Sequence, residues 1–148
     1  MAEFIHGNQS IHYELAGVRE FRLRTPVLLL HGNGEDMHIF DNMIAPLLGA
    51  KGFVLMDSRM QGESFSLDGG GEISYSAMAD DAAALMDELG INEYDIVGYS
   101  DGGIIALLMA MKSFKVRRFF TIGANTDPSG LTAKAVREIK TALRRANH

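Results

Sequence analysis

The chain has 148 residues, 47% of them hydrophobic, with a formal charge of −5 and no cysteine. Length and apolar content suit one ordinary domain with a sizeable core. The acidic balance argues against a nucleic-acid partner, which needs a basic surface, and the lack of cysteine excludes disulfides and cysteine-held metals and fits a cytoplasmic protein.

The opening residues Met1-Ala2-Glu3-Phe4 carry neither a basic n-region nor an apolar signal core, and no apolar run approaches a bilayer span, so a soluble chain without a membrane partner is expected. From Phe4 to Leu15, two strand-like runs flank the turn signal Gly7-Asn8, with Ile11, Tyr13 and Leu15 alternating against polar neighbours. This predicts an antiparallel hairpin, in which His6 and His12 are expected to be exposed. Val27 to Leu30 and Phe53 to Met56 are apolar on consecutive residues, as strands covered on both faces require. Tyr94 to Val97 and Phe119 to Ile122 read the same way. Ser76 to Leu89 places Met78, Ala82, Leu85, Met86 and Leu89 on one helical face before Gly90 stops it. Asp68-Gly69-Gly70-Gly71 predicts a loop. Leu131 to Ala146 reads as an amphipathic helix with Arg144 and Arg145 in its last turn. Alternating strands and helices predict an α/β fold, with a mostly parallel sheet flanked by helices.

The most informative stretch is Gly98-Tyr99-Ser100-Asp101-Gly102-Gly103, between the Tyr94 strand and the apolar run Ile104 to Met109. Glycines two positions either side of Ser100 allow a sharp strand-to-helix turn that displays the hydroxyl. A helix N-terminus there would offer unpaired N–H groups to developing negative charge, which makes the N–H of Asp101 an oxyanion donor. Read alone, the six residues also fit a glycine-rich turn with an incidental serine. His31 is an attractive base for a serine, since histidine is its usual partner.

Three motifs, each at a strand's C-terminal end, remove much of that ambiguity. His31-Gly32-Asn33-Gly34 follows Val27 to Leu30, Asp57 to Ser64 follows Phe53 to Met56, and Gly98-Tyr99-Ser100-Asp101-Gly102 follows Tyr94 to Val97. In this order and spacing the chain resembles the α/β-hydrolase-fold family, from the hairpin to about Asn125. The resemblance implies Ser100 as nucleophile and the backbone N–H of Asn33 as second oxyanion donor. Gly32 would permit close approach, and His31 would order the oxyanion loop rather than act as base. Asp57 and Arg59 would order a loop at the sheet's edge, where Met60 stands in place of the family's usual glycine. No cofactor or metal is implied.

In that family an acid and then a histidine follow the serine. Here the order Ser100, Asp127, His148 satisfies the pattern, which makes Asp127 the candidate acid and His148 the candidate base. A terminal histidine beyond a helix, however, would lack the packing that holds a base on its nucleophile. The more economical expectation is therefore a chain truncated before the last strands: one domain over 1–148, with core sheet and helices over 1–125 and the start of a cap or C-terminal helix over 126–148. Such a chain would be a serine hydrolase of a small carboxylic ester or related acyl substrate, incomplete or weakly active. It would associate with itself through the exposed sheet edge at Phe119 to Ile122. The alternative is a non-catalytic binding, receptor-like or assembly module on the same fold. A dinucleotide-binding domain is disfavoured, because His31-Gly32-Asn33-Gly34 lacks the third glycine.

Overall fold

Gly7, at φ 60°, and Asn8 reverse the chain between β1 (Ala2–His6) and β2 (Gln9–Ala16), so His6 faces Gln9 across a two-residue turn. The computed structural model describes residues 2–125, 127–130, 132–134, 136 and 137. After a 3₁₀ turn at Val18–Arg22 come β3 (Val27–Leu30), α1 (Asp41–Ile44), β4 (Phe53–Met56), β5 (Phe65–Ser66) and α2 (Tyr75–Glu88). The series closes with β6 (Tyr94–Tyr99), α3 (Asp101–Lys112) and β7 (Val116–Ile122).

The strands form one sheet in the order β1-β2-β4-β3-β6-β7, with β5 beside β2. The run β4-β3-β6-β7 is parallel, as expected from its apolar runs. The antiparallel share is larger than the hairpin alone predicts, because β2 also pairs with β4 and β5. The sheet is thus mixed.

Strand pleating divides the core between two faces. Leu28, Leu30, Val54, Met56 and Ile96 point to the side covered by α2 and α3, where Met78, Ala82, Leu85, Met86, Ile105 and Met109 meet them. Val27, Leu29, Phe53 and Leu55 point to the other side, against Met37, Phe40 and Ile44. Tyr94 is buried at the start of β6; that burial, with Asp87 nearby, pushes its phenol up to about 12.

Three elements and one residue depart from expectation for identifiable reasons. β6 continues through Gly98 and Tyr99 because its pairing with β7 runs to Tyr99 opposite Ile122. β7 starts at Val116 rather than Phe119, since Arg118 lies opposite Asp95 and donates to both its carboxylate oxygens, at 3.1 and 2.6 Å. β5 has two residues, too few for any period. His12 is buried, not exposed, because the loop after β4 covers it: the Ser64 hydroxyl accepts from the His12 N–H at 2.9 Å and donates to the carbonyl of Asp57 at 2.8 Å.

Beyond β7, Ala133, Lys134, Val136 and Arg137 are helical, with the Val136 N–H bonded to the Thr132 carbonyl at 3.0 Å. The remainder of the helix expected to Ala146, and His148 with it, lie outside the described residues. Among the described residues no helix is long and apolar enough to cross a membrane.

Candidate active site

The turn between β6 and α3 is set by backbone crowding. Ser100 takes φ 51° and ψ −117°, one of two non-glycine residues at positive φ in the described chain. Its N–H extends the β7 pairing to the Ile122 carbonyl at 2.8 Å, and its own carbonyl accepts from Gly103 at 2.9 Å. A Cβ on Gly98 would fall 2.3 Å from the Gly102 carbonyl oxygen, and one on Gly102 would fall 2.0 Å from that of Leu30. Only glycines let α3 start this close to the ends of β3 and β6. The cost of holding a serine at this φ is met by surroundings that leave the backbone no alternative.

Beside it lies the loop after β3. Both ring nitrogens of His31 are committed: Nε2 accepts the Ser58 N–H at 2.9 Å, which leaves Nδ1 to donate to the Gly32 carbonyl at 2.7 Å. This fixes the neutral tautomer and ties the loop after β3 to the loop after β4. The Gly34 N–H goes to the Gln61 side-chain oxygen at 2.8 Å, and the Gly32 N–H to Oε2 of Glu35 at 3.0 Å. Between them, the Asn33 N–H makes no hydrogen bond among the described residues, and neither does the N–H of Asp101 at the α3 N-terminus. A Cβ on Gly32 would lie 3.1 Å from the Ser100 Cβ, so the loop after β3 and the serine are close neighbours. The resemblance thus grouped residues that the fold does bring together: His31, Gly32, Asn33, Ser100 and Asp101.

The loop after β4 supports this wall from behind. Asp57 accepts the N–H groups of Met37 and Glu63, each at 2.8 Å, and so fixes the starts of two loops. Arg59 donates from Nε and Nη2 to the two carboxylate oxygens of Asp81 on α2, at 2.6 and 2.7 Å, and His6 reaches the same carboxylate at 2.7 Å. The bond to Asp81 is the main reason the Arg59 guanidinium is raised above its ordinary value. Met60 occupies the left-handed region, φ 61°, which is where a glycine would be unstrained.

The other candidates are less connected. Asp127 lies past β7, exposed, with its side chain accepting from the N–H of Ser129 at 2.8 Å and from the Ser129 hydroxyl. That bonding caps the Pro128–Gly130 turn. His38 is exposed and bonds to Asp41. Two residues near the serine carry no signal in the motifs. Glu35 is recognisable only as a carboxylate three positions after Gly32, the reach of a turn. Tyr75, the first residue of α2, donates its hydroxyl to the Asp101 carboxylate; burial, then the Asp101 charge and that bond, raise its phenol. Nothing in the sequence spacing announces that contact. No group of histidines and carboxylates among the described residues has the spacing of a metal site.

The family model described as the alpha/beta hydrolase fold matches residues 25–144. Among solved structures, a thermophilic esterase from Thermogutta terrifontis is 25% identical, with a TM-score of 0.71 over 93% of this chain and 48% of its own. A hydrolase from Pseudomonas aeruginosa PA01 is 21% identical, with a TM-score of 0.77 over 96% of this chain and 51% of its own. Est816, described as an N-acyl homoserine lactone degrading enzyme, is 22% identical, with a TM-score of 0.76 over 94% of this chain and 52% of its own. The last two likenesses bear on the fold alone. This chain spans about half the length of each.

Proposed function

Because the chain belongs to the alpha/beta hydrolase fold family, we propose that its site performs acyl transfer to water, with Ser100 as nucleophile and a small carboxylic ester or related acyl compound as substrate. The observation that carries this reading is the pairing of a displayed serine with two unengaged N–H groups, those of Asn33 and Asp101. In the first step the Ser100 oxygen bonds to the acyl carbon, its proton passing to a base, and the carbonyl oxygen takes up the charge facing the two N–H groups. The tetrahedral species then collapses, the alcohol leaves with a proton, and water releases the acid from the acyl-serine.

The base is the incomplete part. His31 is neutral and doubly bonded, His6 and His38 are bonded to Asp81 and Asp41, and His12 is buried on β2 with Nδ1 3.8 Å from Glu63 and no partner on Nε2 among the described residues. Asp127 and His148 remain the chain's own candidates for acid and base in the order the family uses, but Asp127 is bonded to Ser129 and His148 lies outside the described residues. Turnover by these 148 residues is accordingly weak, sustained by the oxyanion donors. Initial rates with p-nitrophenyl acetate test this: slow hydrolysis lost in Ser100→Ala supports it, whereas a rate equal in both proteins contradicts it.

One observation favours the non-catalytic alternative, namely that no imidazole is hydrogen-bonded to Ser100 among the described residues. A retained affinity for acyl ligands with no turnover at all would select it. For the partner, a second copy of this chain at β7 is supported by Phe119, Phe120 and Ile122, all exposed on the last strand of the sheet. Light scattering that found a monodisperse monomer would count against this.

A further inference from the structure

We propose that the Glu35 carboxylate is a specificity determinant of the Ser100 site, selecting acyl groups that bring a cation or an N–H donor to it over neutral and anionic ones. The inference rests on Ser100 being the nucleophile. Its starting point is the position a Gly32 side chain would occupy, which is 2.7 Å from Oε2 of Glu35 and 3.1 Å from the Ser100 Cβ. Carboxylate and nucleophile therefore flank the same side of Gly32, with the Tyr99 ring beside them, at a position too crowded for any side chain at residue 32. Glu35 is held there: Oε2 accepts the Gly32 N–H at 3.0 Å, and the Glu35 N–H returns to the Gly32 carbonyl at 3.3 Å.

Its surroundings leave the charge uncompensated. Asp81 on α2 and Asp95 on β6 each carry a bidentate guanidinium, and the buried Asp57 accepts two backbone N–H groups. Glu35 makes no ion pair among the described residues, and its one side-chain partner is a backbone N–H. The second carboxylate next to the serine, that of Asp101, is met by the neutral Tyr75 hydroxyl. Negative charge beside a seat for a developing oxyanion opposes the reaction of a neutral acyl group. A substrate with a cation or N–H donor near its carbonyl turns the same charge into an attraction, and an anionic substrate meets added repulsion. A purely structural Glu35 would need the acceptor oxygen but not the charge.

Glu35→Gln separates the two, because the amide oxygen still accepts from Gly32. The full chain is reacted at low salt with two fluorophosphonates of matched size, one bearing a quaternary ammonium arm and one its neutral tert-butyl counterpart. Second-order rates of modification at Ser100 are read by mass spectrometry. The wild type is expected to favour the cationic probe about tenfold, and Glu35→Gln to bring the two probes within about twofold, with the neutral rate rising as the opposing charge is removed. Glu35→Ala should lower both rates, having lost the loop contact as well. Equal rates in the wild type, or a preference unchanged in Glu35→Gln, overturn the inference alone. No modification by either probe overturns the nucleophile reading and this one with it.

Discussion

Two non-glycine residues of this chain sit at positive φ, Met60 after β4 and Ser100 after β6, and they are held in opposite ways. Met60 is 43% exposed and is held indirectly, by side chains just before it: Asp57 on the N–H groups of Met37 and Glu63, and Arg59 on Asp81. Ser100 is held by backbone alone, between the Ile122 carbonyl, the Gly103 N–H and glycines packed on the end of β3. Strain by itself therefore does not mark a site. What distinguishes Ser100 is that its restraints leave the hydroxyl and two neighbouring N–H groups uncommitted.

The largest expected effect breaks the side-chain version. Asp81→Ala would leave the Arg59 guanidinium without its carboxylate in a region where Asp81 is 0% exposed. A loss of about 3–5 kcal/mol in urea unfolding is expected, against well under 1 kcal/mol for an exposed pair such as Lys115 with Asp87. Gly102→Ala attacks the backbone version, because its Cβ would strike the Leu30 carbonyl. A cost of about 3 kcal/mol is expected, with the β3 and β6 ends losing hydrogen-exchange protection first; a loss confined to β1 and β2 would contradict the packing argument.

Relieving the strain is subtler. Met60→Gly should stabilise by about 1 kcal/mol and leave ester hydrolysis unchanged, while Ser100→Gly should stabilise by at least as much and abolish hydrolysis. If neither variant is more stable than wild type, the two conformations carry no strain. The smallest effect concerns His38. Burial pulls its pKa down, but the charge and hydrogen bond of Asp41, with Asp36 and Glu14 behind, together outweigh it and raise it above its ordinary value. A raised folded value means that this contact stabilises fully below about pH 6.5 and is lost as pH climbs through the folded value. His38→Gln should therefore flatten the stability profile across that window and nowhere else.

The two regions were also unequally legible in the sequence. The elbow was, because glycine spacing is a direct record of where backbones must approach, and four consecutive apolar residues located β3 and β4 to the residue. The supports were not. Arg59 and Asp81 are far apart in sequence, and their bond depends on α2 lying against the loop after β4. β7 was shortened in expectation because Arg117 and Arg118 look like surface residues until Asp95 is seen opposite. His12 looked exposed because period-two alternation cannot reveal that a later loop covers one face. Glu35 and Tyr75 belong to the same class, since only tertiary packing brings them to Ser100 and Asp101.

The proposed chemistry depends on whether the turn between β6 and α3 displays Ser100 as a reactive nucleophile. Treating the folded chain with a neutral fluorophosphonate and mapping the adduct by peptide mass spectrometry tests it most directly. Slow, stoichiometric modification of Ser100 that disappears in Ser100→Ala and on unfolding in urea is expected. An unmodified chain, or an adduct on another residue that persists in Ser100→Ala, would contradict it.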